Sequence, residues 1–119
     1  MFGEHEGTME QAFFVPILPD KLEAAFAFAD ALNTTRRSEL DDAQSTVTKE
    51  SWFIQETPFG SFMIVYFQAP DIAKVFENLS ESERPFDVWF KQQVLEITGV
   101  NCDEPMPPAP KQVLSWSRE

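Results

Sequence analysis

The hydrophobic pattern of this chain is dominated by one stretch, SWFIQETPFGSFMIVYFQ at Ser51–Gln68. Ser51–Thr57 and Ser61–Gln68 read as two strands of a hairpin joined through Pro58, Phe59 and Gly60, where Gly60 supplies the positive φ that a tight turn needs. Side chains alternate along a strand, so Phe62, Ile64 and Tyr66 share one face of the second strand, and Met63, Val65 and Phe67 share the other. Both faces are apolar, and both need cover.

The remaining elements follow in order. Gln11–Leu18 is a continuous apolar run whose Phe, Val and Ile content predicts a buried strand, with Pro16 marking a bulge, a strand end or an unpaired position. Asp20 is placed as the N-cap of a helix, with Glu23 completing a capping box, and Leu22, Ala25, Phe26, Ala29 and Leu32 form its apolar stripe while Phe28 falls off it. Arg36–Ser45 reads as a polar helical segment. Ile72, Val75, Phe76 and Leu79 predict a third helix after Ala69-Pro70-Asp71. Pro85 starts a fourth over Phe86–Thr98, and Gly99 ends it. Val100–Pro110 holds four of the nine prolines and leads to a short final strand, Gln112–Trp116. Residues 1–10, with Gly3, Gly7 and no periodicity, read as a flexible arm before a single domain at 11–119.

Strand, helix, strand, strand, helix, strand is the split βαβ order, which predicts an α+β, ferredoxin-like βαββαβ fold: a four-stranded antiparallel sheet with helices on one face. The other face stays apolar and open. A second copy is the economical cover, because sheet-on-sheet packing about a two-fold axis is self-complementary, and ~800 Å² buried per partner is an ordinary specific interface. A homodimer through the open sheet face is therefore expected.

Composition narrows the partners. Nine Lys and Arg against 20 Asp and Glu give a net charge of −11, which repels phosphate backbones and anionic headgroups, so neither nucleic acid nor a membrane surface is an expected partner. One cysteine, Cys102, cannot form an internal disulfide, no apolar run approaches the ~20 residues of a span, and the N-terminal residues lack a signal-like apolar region. These features predict a cytoplasmic protein. Twelve Phe, three Trp and one Tyr supply large rigid surfaces for a core, an interface or an aromatic ligand.

Several phrases resemble a known family. The opening FVPILPDKLEAAFAF, the RRSEL segment, the strand FGSFMIVYFQA and the helix PFDVWFKQQVLEITGVN are similar to the dimeric α+β-barrel superfamily, nearest to an uncharacterised bacterial branch of it. In that branch an FD-x-WF helix precedes a G-V-N/D turn, here Phe86, Asp87, Trp89 and Phe90 followed by Gly99, Val100 and Asn101. The resemblance spans about residues 10–117 and implies the barrel-type dimer. It leaves activity open, since the superfamily includes cofactor-independent monooxygenases, haem-degrading enzymes, lactone isomerases and proteins without known activity.

Candidate site residues are few. His5 is the only histidine, and its place in the Gly-flanked arm favours a solvated residue over a haem ligand or general base. No His/Cys/Asp/Glu spacing suits a metal and no Gly-rich loop suits phosphate, so no cofactor is expected. Trp52, Tyr66 and Trp89 are candidates to line a cavity between sheet and helices, against simple core packing. Gln55 and Glu56 lie on opposite strand faces, Glu56 sharing its face with Trp52, and with Tyr66 they are weak candidates for catalysis. Arg36 and Arg37 offer a guanidinium fork for a carboxylate, against ion pairing with Glu39, Asp41 or Asp42. Asp87 is read as stabilising the start of its helix.

Three functions compete: a dimeric protein binding a small apolar or aromatic acid between sheet and helices, a cofactor-independent monooxygenase acting on an aromatic substrate, and a non-enzymatic interaction module using the acidic surface and the Pro-rich segment 105–110.

Overall fold

The structure, a computed structural model, describes residues 9–105 and 107–118. Within them lie a three-stranded antiparallel sheet and four helices. The strands are β1 (Met9–Ile17), β2 (Lys49–Thr57) and β3 (Gly60–Ala69), and the helices are α1 (Leu22–Asn33), α2 (Arg37–Ala43), α3 (Ile72–Glu81) and α4 (Pro85–Thr98). The sheet order is β1-β3-β2. β3 is hydrogen-bonded on both sides, with Val65 opposite Phe13 of β1 and Trp52 of β2.

The hairpin forms as its sequence dictates. Gly60 takes φ +128, while the Thr57 hydroxyl donates to Gly60 O (2.7 Å) and accepts from Phe59 N (3.0 Å), so the turn closes its own polar groups. The alternation along β3 resolves into two distinct surfaces. Met63, Val65, Phe67 and Ala69 are buried under the helices, whereas Phe62, Ile64, Tyr66 and Gln68 are only half-buried on the opposite face.

An aromatic cluster ties the helices to the sheet. The Phe28 ring lies 5.4 Å from Trp52, 5.5 Å from Trp89 and 5.3 Å from Phe90, so α1, β2 and α4 meet at one side chain. A second group joins Phe13, Phe67 and Phe76 at 5.4–6.3 Å, bringing β1, β3 and α3 together. Such edge-to-face and tilted contacts add to the area they bury.

Four expectations change. The buried stripe of α1 is Ala25, Phe28 and Leu32, while Phe26 is 51% exposed; the helix is rotated so that the Phe28 ring, not that of Phe26, fills the cluster. Asp20 does not cap α1: it takes φ +69, and the capping position falls to Lys21, without a side-chain bond. β1 starts at Met9, two residues into the segment read as an arm. Finally, Gln112–Trp116 forms no strand and the sheet has three strands rather than four. The chain leaves α4 through Gly99 (φ +80) into a turn closed by Glu104 N donating to Asn101 O (3.1 Å), and prolines without an N–H follow. A ladder along β1 cannot start there.

The rotated stripe carries a test: Phe28→Ala should lower stability by about 3–5 kcal/mol in urea denaturation, while Phe26→Ala should stay within about 0.5 kcal/mol.

Candidate functional site

The two aromatic groups flank a groove of about 1180 Å³ between the helix-facing side of the sheet, α3 and α4. Phe13, Val15, Met63 and Phe67 form its floor, and Phe76 and Phe90 stand on either side. The groove exists because α3 and α4 splay over β1, an edge strand whose inner face carries Phe13 and Val15, both only half-covered. Pro105, Pro107, Pro108 and Pro110 run exposed along one rim.

Polar groups gather at its ends. At one, Glu50 accepts from Gln44 Nε2 (2.6 Å) and from Trp52 Nε1 (2.5 Å), so the indole is fixed with its ring toward Phe28 and Phe90. At the other, Asp87 is buried and accepts from Ser82 Oγ (2.6 Å) and Arg84 Nε (3.1 Å). Asp87 therefore does more than favour the helix terminus: it binds the α3–α4 connection to α4. Among the described lining residues Arg84 is the one cation, and it is committed to Asp87.

The candidate residues are divided rather than assembled. Trp52 lines the groove. Trp89 packs against Phe28 and Phe86 beneath Arg36, whose guanidinium lies 3.9 Å from the indole centre. Tyr66 faces away on the open side of the sheet, which removes it from any cavity shared with Trp52. Gln55, opposite Phe62, is on that open side too, whereas Glu56 is on the helix-facing side, and both are exposed. Arg36 pairs with Glu39 (3.1 Å) and Arg37 with Asp41 (3.0 Å), the surface pairing that competes with carboxylate binding; Arg37 borders a separate depression between α1, α2 and β2. His5 lies outside the described residues. Among the described residues no group of three or more His, Cys, Asp or Glu is placed to hold a metal ion, and no helix is long and apolar enough to cross a membrane.

Two residues that pattern reading passed over hold the site's periphery. Glu50 is one. Lys91 is the other: its ammonium, on a nearly buried side chain, donates to Ser80 O (3.1 Å), Ser82 O (3.2 Å) and Asp103 Oδ1 (2.7 Å). Lys91 heads the polar run Lys91-Gln92-Gln93, which reads as the solvent face of the helix and gave no signal. Beside it, Cys102 is half-buried, and burial together with the Asp103 charge pushes its thiol up against the opposing pull of Lys91. It is a poor nucleophile at neutral pH.

On the open face Tyr66 accepts from Gln68 Nε2 (2.6 Å) and donates to Glu10 Oε1 (2.6 Å). The Gln68 bond favours the phenolate, but the Glu10 hydrogen bond, desolvation and the Glu10 charge together outweigh it and raise the phenol above its usual 10.0. The chain matches no protein-family model, no curated protein and no solved structure.

Tyr66 is the only tyrosine, so tyrosinate absorbance reads it directly. Its midpoint should lie above 10.0, and Glu10→Gln should bring it down. Because the folded value is raised, the Tyr66–Glu10 contact contributes fully below the unfolded value and is lost as pH rises through the folded one.

Proposed function

We propose that this chain is a small ligand-binding protein of the dimeric α+β-barrel type, holding a neutral apolar or aromatic molecule between its sheet and helices. The observation that carries the reading is the groove: about 1180 Å³ lined by Phe, Val and Met, above the ~300–1,000 Å³ usual for ligand sites. Its polar groups support a neutral ligand over the acid that Arg36 and Arg37 suggested. Glu50, Asp71, Glu77, Asp103 and Glu104 lie around it, and its one described cation is neutralised. An anion entering there meets repulsion without a free partner. The residues that the sequence offered for monooxygenase chemistry, Tyr66, Gln55 and Glu56, lie outside the groove.

The β1-α-β2-β3-α order and the β1-β3-β2 sheet support a ferredoxin-like arrangement lacking its fourth strand. The open face supports the dimer. Phe14 is 66% and Phe53 59% exposed, flanking Ile64 on adjacent strands, and Phe14 meets Phe62 edge-on at 5.5 Å. A contiguous apolar sheet face of this kind marks a contact surface.

Native mass spectrometry of protein purified from cells should show a retained neutral small molecule, and Val65→Arg, which places a charge on the groove floor, should abolish retention. An empty wild-type protein that also fails to bind a panel of hydrophobic fluorophores contradicts the reading. Separately, Phe53→Lys should shift the protein from dimer to monomer in size exclusion with light scattering, with an unchanged circular dichroism spectrum.

A further inference from the structure

Residues opposite one another in an antiparallel sheet share a face, so the open side of this sheet divides into rows running from β1 across β3 to β2. The rows are Glu10-Gln68-Lys49, Ala12-Tyr66-Ser51, Phe14-Ile64-Phe53 and Pro16-Phe62-Gln55. Only the first carries charge. Its two charges are opposite in sign, exposed, and placed on the two edge strands, with the whole width of the sheet between them.

Glu10 and Lys49 both lie opposite Gln68, so their backbones are about 10 Å apart, two strand spacings. Among the described residues no ion pair joins them, and Lys49 has none with any other group. Glu10, by contrast, is steered. The Tyr66 hydroxyl, at the centre of the face, donates to Glu10 Oε1 (2.6 Å) and draws the carboxylate over the sheet rather than off its edge.

We propose that the open face meets a second copy of this chain about a two-fold axis parallel to β3, so that Glu10 pairs with the partner's Lys49 and Lys49 with the partner's Glu10. This orientation rests on the sheet-face dimer proposed above. An axis parallel to the strands keeps each row at its own height and exchanges the edges, so every row lies on its own copy in reverse. Phe14 then covers the partner's Phe53, Ile64 the partner's Ile64, and the two charges meet their opposites. Polar rows fall on polar rows and apolar on apolar.

An axis across the strands through the Phe14-Ile64-Phe53 row gives the other two-fold arrangement. It inverts the order of the rows, placing Tyr66 on the partner's Phe62 and carrying Glu10 and Lys49 to the partner's hairpin end, where the row of Gly60 and Thr57 has no charge. Charges covered there lose water and gain no partner. Sheets packed face to face cross at about 30°, a rotation that long side chains at the ends of a row follow. The rim pairs select orientation, and the apolar rows between them supply the buried area.

The test uses charge reversal. Glu10→Lys or Lys49→Glu alone sets like charges against each other twice in the dimer and should weaken it about ten-fold in sedimentation equilibrium. Mixing unlabelled Glu10→Lys chains with ¹⁵N-labelled Lys49→Glu chains restores both pairs with their signs exchanged. Heterodimers should then reach about nine-tenths of all dimers in native mass spectrometry, against about half for indiscriminate pairing. Glu83→Lys, on the exposed α3–α4 connection, changes net charge equally, and its mixture with Lys49→Glu should stay at about half. Heterodimers at that level in the first mixture, or single variants that dimerise like wild type, overturn the orientation; if Phe53→Lys still abolishes dimerisation, the sheet-face contact stands without it. A wild-type chain that stays monomeric overturns both.

Discussion

Everything in this fold depends on β3 being paired on both edges while apolar on both faces. Its backbone groups are satisfied by β1 and β2, so the strand is held at the centre of the sheet whatever packs above or below it. One face collects Phe28, Phe76 and Phe90 through the two aromatic groups, and that fixes the positions of α1, α3 and α4. The other face, with Phe62 and Ile64 between Phe14 and Phe53, receives no helix. The helices leave the groove over β1 partly uncovered, and among the described residues the absence of a fourth strand leaves the outer edge of β1 open.

The polar interactions are arranged around that apolar framework rather than within it. Asp87 and Lys91, on α4, act from opposite charges on the same connection: Asp87 takes Ser82 Oγ and Arg84, and Lys91 takes the Ser80 and Ser82 carbonyls. The loop between α3 and α4 is fixed at both levels, side chain and backbone. Breaking either leaves a nearly buried charge without its partner, which is more damaging than losing a surface pair. Arg36 and Arg37, by contrast, make exposed pairs within one helical turn, contacts that contribute little.

Much of the architecture was legible from local pattern. The hairpin, with its glycine, and the third and fourth helices, with Pro85 and Gly99 at their ends, follow from rules that operate within a few residues. What was hidden depends on distant neighbours. Alternation shows that Tyr66 and Met63 face opposite ways, but only the placement of the helices decides that Met63 is inside. The stripe of α1 admits two rotations that differ by about one residue's turn, and Phe28 is chosen because Trp52, Trp89 and Phe90 surround it. Gln112–Trp116 has strand composition, yet a strand also needs an edge within reach. Glu50 and Lys91 gave almost no signal, since a charge that anchors a loop or orients an indole reads like any surface charge until its partners are known.

The stretch Gln11–Ile17 of β1, free of charged residues, sits in a chain carrying −11 net charges, and this pairing has a kinetic meaning. An open apolar edge templates indiscriminate addition of other strands while the protein is newly made and still dilute. Mutual repulsion between equally acidic molecules slows every such encounter, within a Debye length of about 8 Å at physiological salt. Contacts that survive must be specific enough to overcome that barrier at short range. Acidity here acts as a colloidal filter that lets one exposed edge persist without becoming a seed for aggregation.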